Sequence, residues 1–286
     1  MPNRLLTPQL AAKPQPAWQG AGLGLHAGFL PELLHTLPDA IEFMEIAPEN
    51  WLTKGGLSAR QLHNLAERIP LVAHGLNLNL GGQRPLDKEL ILAIKGLRHR
   101  LNLRFYSEHL SWCADAGNFY DLLPLPFTAE AVRHVASRIR QVQDMLECCI
   151  GVENISYYLR QNPGDLSEQE FITAVISEAN CLLHLDVNNL YVNSVNQGLD
   201  ARAFIDALPA DKIAYIHIAG HAQEAADLII DTHGAPVADP VWDLLAYTYA
   251  QKGLAPTLLE RDFNVPPLAV LNQEVARIAS LQQPYR

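Results

Sequence analysis

The sequence lacks the features that mark nucleic-acid-binding, membrane-spanning and secreted proteins. Its 21 Lys and Arg residues are outnumbered by 31 Asp and Glu residues, which gives a formal net charge of -10. It has no Lys/Arg-rich run to form the basic surface that binds nucleic acids. No apolar segment approaches the ~20 residues of a membrane span, and the first twenty residues contain no apolar core of a signal peptide. We therefore expect a cytoplasmic protein that has neither nucleic acid nor membrane as a partner.

Cysteine is also scarce, and its spacing excludes a common metal site. The four cysteines are Cys113, Cys148, Cys149 and Cys181. No two of them have the C-x-x-C spacing of a thiolate zinc site. What the sequence does have is ample apolar material, since 49% of its 286 residues are hydrophobic. That amount suits one large core, and a single α/β barrel typically needs about 250 residues.

Apolar strand-like runs alternate with amphipathic helical segments along the whole chain. Such alternation predicts βαβ units and a parallel sheet. Eight units in this length predict a closed (β/α)₈ TIM barrel over residues 21–286, preceded by an N-terminal arm at residues 1–20. The alternative is an open doubly wound sheet, but no G-x-G-x-x-G follows an early strand. The predicted strands cover residues 21–26, 41–46, 71–74, 103–108, 150–153, 182–185, 213–219 and 256–260.

The sixth predicted strand shows where the chemistry is expected. Its apolar run, broken only by His184, is followed directly by Asp186 and, three residues later, Asn189. Active sites of α/β barrels lie at the carboxyl ends of the strands. The alternative is that Asp186 only caps a helix. The functional interpretation is favoured because other predicted strands end in similar residues.

Polar residues at the strand ends combine imidazole with carboxylate. Six of the eleven histidines fall there, and we interpret the other five (His35, His63, His99, His134 and His184) as surface or core residues. Imidazole and carboxylate without thiolate suit zinc, manganese or ferrous iron. A dense set of carboxylates also needs cations to limit its own repulsion. The sequence therefore predicts several metal ions, held among His26, Glu49, Asn50, His74, Glu108, His109, Glu153, Asn154, Asp186, Asn189, His217, His221, Asp231, His233, Glu260 and Asp262.

Several ordered motifs resemble those of one known family. They include Ser107-Glu-His-Leu-Ser-Trp112, Leu185-Asp-Val-Asn-Asn-Leu-Tyr-Val192, His217-Ile-Ala-Gly-His221 and Ile230-Asp-Thr-His-Gly234. Together they resemble a former domain-of-unknown-function family that includes the iron oxygenase of methanobactin biosynthesis. The resemblance runs from about Gly20 to Pro267.

The resemblance implies a barrel like those of xylose isomerase and endonuclease IV, with two or three irons, although zinc or manganese would also suit the ligands. One ion would be held by His74, His109 and Glu153. Glu153 would bridge to a second ion, and a third would lie nearby. The second ion would have the further ligands Asp186, His217 and Glu260, and the third would have Asn189, Asp231 and His233.

Three more residues are expected to support catalysis without being ligands. His221 would lie beside the substrate or the ligands, and Glu108 would orient a ligand histidine. His26, where the family more often has arginine, would face the substrate.

The resemblance implies a multinuclear non-haem iron enzyme that uses dioxygen to modify a cysteine of a ribosomally made precursor peptide. A separate partner protein would present the peptide. Because a fold does not determine function, a metal-dependent hydrolase or isomerase on the same barrel is the main alternative. A non-catalytic metal-storage protein is a further one.

Overall fold

Eight parallel strands close into a barrel in the computed structural model, which describes residues 18–158 and 164–286 and leaves the side chain of Tyr120 undescribed. The predicted barrel is confirmed. Around the barrel the strands follow one another in chain order, and the first strand pairs with both the second and the last. The strands are β1 (Ala21–Gly24), β2 (Phe43–Ile46), β3 (Leu71–Gly75), β4 (Tyr106–His109), β7 (Gly151–Glu153), β8 (Leu182–Asp186), β9 (Ile213–Ile218) and β12 (Thr257–Leu259).

Helices cover the outside of the barrel and begin where the sequence provides caps. Asp87 and Thr128 each accept a hydrogen bond from the first turn of the helix that follows them, and Ser167 forms a capping box at the start of another helix. None of the helices within the described ranges is long and apolar enough to cross a membrane. The helices are α1 (Leu30–His35), α2 (Glu49–Leu52), α3 (Gly56–Ala66), α4 (Lys88–Leu101), α5 (Ala129–Leu146), α6 (Glu168–Ala179), α7 (Val187–Gln197), α8 (Ala201–Ala207), α9 (Asp239–Lys252) and α10 (Leu268–Gln282).

Two features of the loops were not predicted. Helix α7 begins directly after β8, although its Asn and β-branched residues have low helix propensity. Two β-hairpins follow β4 and β9, and both belong to the loops at the carboxyl ends of the barrel strands. They are formed by β5 (Trp112–Ala114) with β6 (Asn118–Leu123), and by β10 (Ala222–Ala225) with β11 (Leu228–Ile230).

The barrel interior has an aromatic lower layer. Phe43, Phe105 and Tyr215 form it, and Trp18 packs beneath them with ring centroids 4.6 Å from Phe43 and 4.9 Å from Tyr215. A Cβ atom at Gly22 would collide with the ring of Phe43. Trp18 belongs to the predicted N-terminal arm, of which residues 1–17 lie outside the described residues.

A polar layer lies directly above the aromatic one. Strand side chains alternate between the two faces of a sheet. The residue two positions after an aromatic one therefore also points into the barrel, one layer higher. Glu45, Ser107 and His217 follow Phe43, Phe105 and Tyr215 in this way, and all three are buried. This alternation places a ring of polar side chains at the carboxyl ends of the strands.

Candidate metal centre

The first group of candidate ligands comes from three adjacent strands, β3, β4 and β7. His74 Nε2 lies 3.0 Å from Glu153 Oε2, and His109 Nε2 lies 3.3 Å from the same oxygen. The two ring nitrogens are 3.1 Å apart. Two ligands at ~2.1 Å from one ion and at a right angle to each other lie ~3.0 Å apart. The three side chains are therefore spaced as ligands of a shared ion.

The second group uses the other oxygen of the same carboxylate. Glu153 Oε1 lies 3.1 Å from His217 Nδ1, and Glu260 Oε2 lies 3.1 Å from that nitrogen. Asp186 completes the group, whose four donor atoms all lie within 4.8 Å of one another. Because its two oxygens face different groups, Glu153 has the geometry of a bridging carboxylate.

The third group is centred on His233, which the predicted set combines with Asn189 and Asp231. His233 Nδ1 is hydrogen-bonded to Asp262 Oδ2 at 2.9 Å, whereas Nε2 lies 2.8 Å from Asp231 Oδ1 without a hydrogen bond. His233, Glu260 and Asp262 also have donor atoms within 4.8 Å of one another. Since Nδ1 is occupied by Asp262, Nε2 is the nitrogen left for an ion, and it faces Asp231.

Orphaned polar atoms show that this cluster fits metal ions. Eleven buried side-chain N or O atoms have no hydrogen-bond partner among the described residues, and four of them belong to the predicted ligands and face the three groups. Buried polar groups normally have partners, and each one left unpaired costs ~1–3 kcal/mol. Ions bound between these atoms would satisfy them. The four are Asp186 Oδ2, Asn189 Oδ1, His217 Nδ1 and His233 Nε2.

Asp186 both caps a helix and faces the cluster. Its Oδ1 accepts a hydrogen bond from the backbone N–H of Asn189 at 2.7 Å, which caps α7. Its Oδ2 is buried and has no hydrogen bond among the described residues. Asn154 fixes this loop, because its side chain exchanges two 2.9 Å hydrogen bonds with the Asp186 backbone. One oxygen of Asp186 therefore caps the helix, and the other is left available as a ligand.

Two residues around the cluster were missed by the sequence analysis. Glu45 accepts a hydrogen bond from His217 Nε2 at 3.2 Å, which leaves Nδ1 facing the second group. His184 was interpreted as a surface or core residue. It is fully buried, but its Nε2 lies 3.7 Å from Glu153 Oε1. The alternation of strand side chains would have identified both, since Glu45 follows Phe43 by two residues and His184 precedes Asp186 by two.

The predicted supporting residues lie around the cluster at different distances. Glu108 Oε1 is 3.6 Å from His109 Nδ1, beyond hydrogen-bond distance, and Glu108 accepts hydrogen bonds from Tyr106 and Leu78 instead. His26 Nε2 contacts the carbonyl of Arg261 at 2.5 Å.

His221 connects to the third group through an amide side chain. Its Nδ1 is hydrogen-bonded to Asn188 Oδ1 at 2.8 Å. Asn188 Nδ2 in turn donates to Asp231 Oδ1 at 2.7 Å. Glu49, also at a strand end, accepts hydrogen bonds from the backbone of Leu76 and Asn77, so it organises a loop.

The clustered acids and imidazoles shift each other's protonation. Burial alone lowers the pKa of His74, but the carboxylate of Glu153 outweighs it and holds that pKa at about 9. The pKa of His217 is raised above its usual value, because Glu260 and Glu45 outweigh the opposing effect of burial. Burial, reinforced by the neighbouring Glu153, raises the pKa of Asp186. Without metal, these imidazoles therefore carry the positive charge that the carboxylates require.

A cavity of about 340 Å³ opens above the cluster. Its floor contains His74, Glu153 and Glu260, whereas large apolar side chains form part of its wall. Phe263, Tyr158 and Leu76 are 66%, 43% and 38% exposed. No Lys or Arg occurs among the described residues that line it, although Asp121 and Asp262 do. Exposed apolar groups gathered at one opening are typical of a binding site.

Comparisons with known proteins show which family the sequence matches and which solved structures share its fold. The family model described as "RiPP precursor modification enzyme MbnB/TglH/ChrH" matches residues 20–283. A UPF0276 protein of Pseudomonas aeruginosa is 56% identical over 264 residues, which is 92% of this chain and 93% of the relative.

Solved structures share the barrel at low sequence identity. D-psicose 3-epimerase of Clostridium cellulolyticum superposes with a TM-score of 0.63 at 11% identity, over 94% of this chain and 99% of the epimerase. Endonuclease IV of Thermus thermophilus gives 0.57 at 13% identity, over 94% and 100% of the two chains. These likenesses show a shared fold and carry no activity with them.

Proposed function

Because this chain belongs to the family of RiPP precursor modification enzymes MbnB/TglH/ChrH, we propose that it is a multinuclear non-haem iron enzyme that uses dioxygen to modify a cysteine of a ribosomally made precursor peptide. The observation that carries this proposal is the position of Glu153. Its two oxygens face two groups of buried imidazole and carboxylate donors. An open cavity lies directly above both groups.

The chemistry of the donor atoms supports iron as one of the ions that this site would bind. Imidazole and carboxylate ligands suit ferrous iron, manganese and zinc, and the groups contain no thiolate that would favour soft metals. We assign one ion to His74, His109 and Glu153, and a second to Glu153, Asp186, His217 and Glu260. A third would lie between His233, Asp231 and Asn189. When bound, redox-active iron would supply the electron transfer that oxidation of a cysteine by dioxygen requires.

The residues of the chain have three roles in this proposal. Glu153 would help to hold both of the first two ions, since each of its oxygens faces one group. Glu45 holds the ring of His217 in one tautomer and one orientation. His221, connected to Asp231 through Asn188, and His26 at the edge of the cluster are proposed to contact the substrate.

The cavity wall supports a peptide as the substrate. Phe263, Tyr158 and Leu76 offer apolar surface for the side chains that flank the modified cysteine. From the family resemblance, we also propose that a separate partner protein in the cytoplasm presents the peptide.

The test starts from protein purified without oxygen and loaded with ferrous iron. The substrate is a cysteine-containing precursor peptide encoded next to the gene, supplied with the product of any neighbouring partner gene. We expect a change in peptide mass that requires dioxygen, iron and the intact cysteine. Glu153→Gln and zinc-loaded protein are the controls and are expected to leave the peptide unchanged. No oxygen-dependent mass change with iron-loaded enzyme would contradict the proposal.

The alternative on the same barrel is a metal-dependent hydrolase or isomerase. The ligand groups could also activate water, but the described cavity wall offers no Lys or Arg for a phosphodiester. Turnover of a substrate without oxygen by the zinc- or manganese-loaded protein would favour this alternative.

A further inference from the structure

Ser107 lies between two histidines and touches the inward nitrogen of each. Its Oγ is 2.9 Å from His74 Nδ1 and 3.1 Å from His184 Nδ1. Ser107 and His184 are fully buried, and His74 is 4% exposed. No other hydrogen-bond partner of the Ser107 hydroxyl occurs among the described residues. The proton positions at this serine therefore decide what both imidazoles can do.

The proton positions follow from the ligand role of His74, so the inference rests on the proposed function. His74 Nε2 faces Glu153 and His109, where the first ion is assigned. A neutral imidazole that binds metal through Nε2 carries its proton on Nδ1. His74 Nδ1–H therefore donates to Ser107 Oγ.

Among the described residues, the single hydroxyl proton of Ser107 then has one remaining acceptor within reach, His184 Nδ1. If His184 instead donated from Nδ1, the buried hydroxyl proton would be left unpaired, which costs ~1–3 kcal/mol. With Nδ1 accepting, the proton of a neutral His184 sits on Nε2. That nitrogen points toward Glu153 Oε1 at 3.7 Å.

We propose that Ser107 fixes the direction of both hydrogen bonds, accepting one from His74 Nδ1 and donating the other to His184 Nδ1. This arrangement, called the relay below, makes His74 a metal ligand and keeps His184 out of the ligand set. His184 then acts as a positioning residue, which presents an N–H to the shared carboxylate of Glu153. The distances also permit the opposite arrangement, in which His184 is itself a ligand, because His74, Glu153 and His184 have donor atoms within 4.8 Å of one another. In that case His184 Nε2 would be deprotonated and would bind the ion.

The surroundings of His184 hold its ring in place for this role. It stacks on Tyr215 with ring centroids 4.4 Å apart and an interplanar angle of 28°. It also meets His217 edge-on at 3.9 Å. These contacts restrict rotation of the ring, so exchange of the two nitrogens would disturb the packing on both sides.

The test uses the full chain with ¹⁵N-labelled histidine, examined by NMR without metal and after loading with ¹¹³Cd²⁺. Direct cadmium–nitrogen coupling identifies ligand nitrogens, and proton–nitrogen coupling identifies tautomers. We expect cadmium coupling at His74 Nε2 and His109 Nε2, none at His184, and a proton on His184 Nε2. Cadmium coupling at His184, or a proton on its Nδ1, would overturn the proposal.

Variants of the three residues test whether the NMR signals report on the relay. His184→Gln, which also assigns the resonances, is expected to keep the wild-type number of bound ions in native mass spectrometry, whereas His74→Gln loses one. Ser107→Ala is expected to release the His184 tautomer, so that a proton appears on Nδ1. An unchanged His184 tautomer in Ser107→Ala would also contradict the relay.

The experiment distinguishes failure of the proposed metal centre from failure of the relay. Should cadmium not bind at all, the metal assignment is wrong, but the His184 tautomer of the metal-free protein still tests the relay. A proton on Nε2 there supports it, and a proton on Nδ1 refutes it.

Discussion

The carboxylate of Glu45 lies 3.2 Å from His217 Nε2, although 172 residues separate them in the chain. Both side chains are buried, on β2 and β9. A ligand histidine is normally oriented by such a partner at its other nitrogen. The pair therefore fixes Nδ1 of His217 toward the second ligand group.

Glu45→Gln tests this orientation. We expect the affinity of the second site for zinc to fall ~10–100-fold, because the amide polarises the imidazole less and can present the wrong dipole. Competition with a chromophoric chelator measures the affinity. The matched control is Glu89→Gln on the exposed surface of α4, which should bind zinc like the wild type. Equal affinity of both variants would show that Glu45 does not position His217.

Glu153→Gln tests whether one carboxylate serves two ions. Its oxygens lie 3.0 Å from His74 Nε2 and 3.1 Å from His217 Nδ1. We expect the variant to lose two ions per chain, measured by elemental analysis after anaerobic iron loading. His109→Gln should lose one, because its Nε2 faces the first group only. Loss of the same number by both variants would argue against a bridge.

The raised pKa of His74 predicts the pH dependence of metal binding. The metal-free protein holds a proton on this imidazole up to a pKa of about 9, because of Glu153. A metal ion must displace that proton, so affinity should rise with pH and level off above about 9. Calorimetry in buffers of different ionisation enthalpy measures the released proton. Affinity that is constant between pH 6 and pH 9 would contradict the assignment.

The same group predicts a stability trend for the metal-free protein. The folded pKa of His74 lies above the unfolded value near 6.5. Its ion pair with Glu153 therefore stabilises the fold fully below about 6.5, and the contribution is lost as pH rises through about 9. Urea unfolding of the metal-free wild type and His74→Gln should show a difference that shrinks over this range.

Glu168 predicts a pH effect away from the metal centre. Burial raises its pKa to about 7, partly offset by the 2.9 Å hydrogen bond from Tyr157. Folding takes up a proton here, so stability falls as pH rises from about 4.5 through about 7. Glu168→Gln should be more stable than the wild type at pH 8, by at most on the order of 3 kcal/mol. At pH 4 the two should be nearly equal, and Glu178→Gln, exposed on the same helix, should show no such trend.

Phe263 tests the substrate role of the cavity wall. Its side chain is 66% exposed and borders the cavity. Phe263→Ala should raise the KM for the precursor peptide several-fold and leave kcat nearly unchanged, because under the proposal the ring would contact the residues that flank the cysteine and not the ions. Leu57→Ala removes a similarly exposed side chain (63%) from α3, outside the cavity lining, and should change neither constant. A loss confined to kcat would exclude a binding role.

The barrel and most of its polar rim could be predicted from the sequence, because both depend on local patterns. Each strand is a short apolar run, and residues such as His74, Glu153 and Asp186 follow at its end. The structure brings these side chains together because parallel strands of one barrel end at the same rim. The distance between His74 and Glu153 depends on how their strands lie beside each other in the barrel. Nothing in the sequence around either residue indicates that distance.

Other features were not accessible in this way. Glu45 and His184 lie inside strands, so attention to strand ends alone overlooked them, although the two-residue alternation contains the information. The surroundings of His233 depend on a loop, where it adopts a left-handed φ of 50° and donates to Asp262. No periodicity determines such a loop. The two hairpins were missed because their strands are short and partly exposed.

The aromatic layer of Phe43, Phe105, Tyr215 and Trp18 has a kinetic consequence. These side chains are at most 6% exposed and seal the barrel below the ligands. In the described part of the molecule, ions and substrate must therefore reach the ligands through the cavity above them. A peptide lying in that cavity would obstruct the passage of anything smaller, so ions would have to be loaded first, and the finished peptide would have to leave before the next cycle.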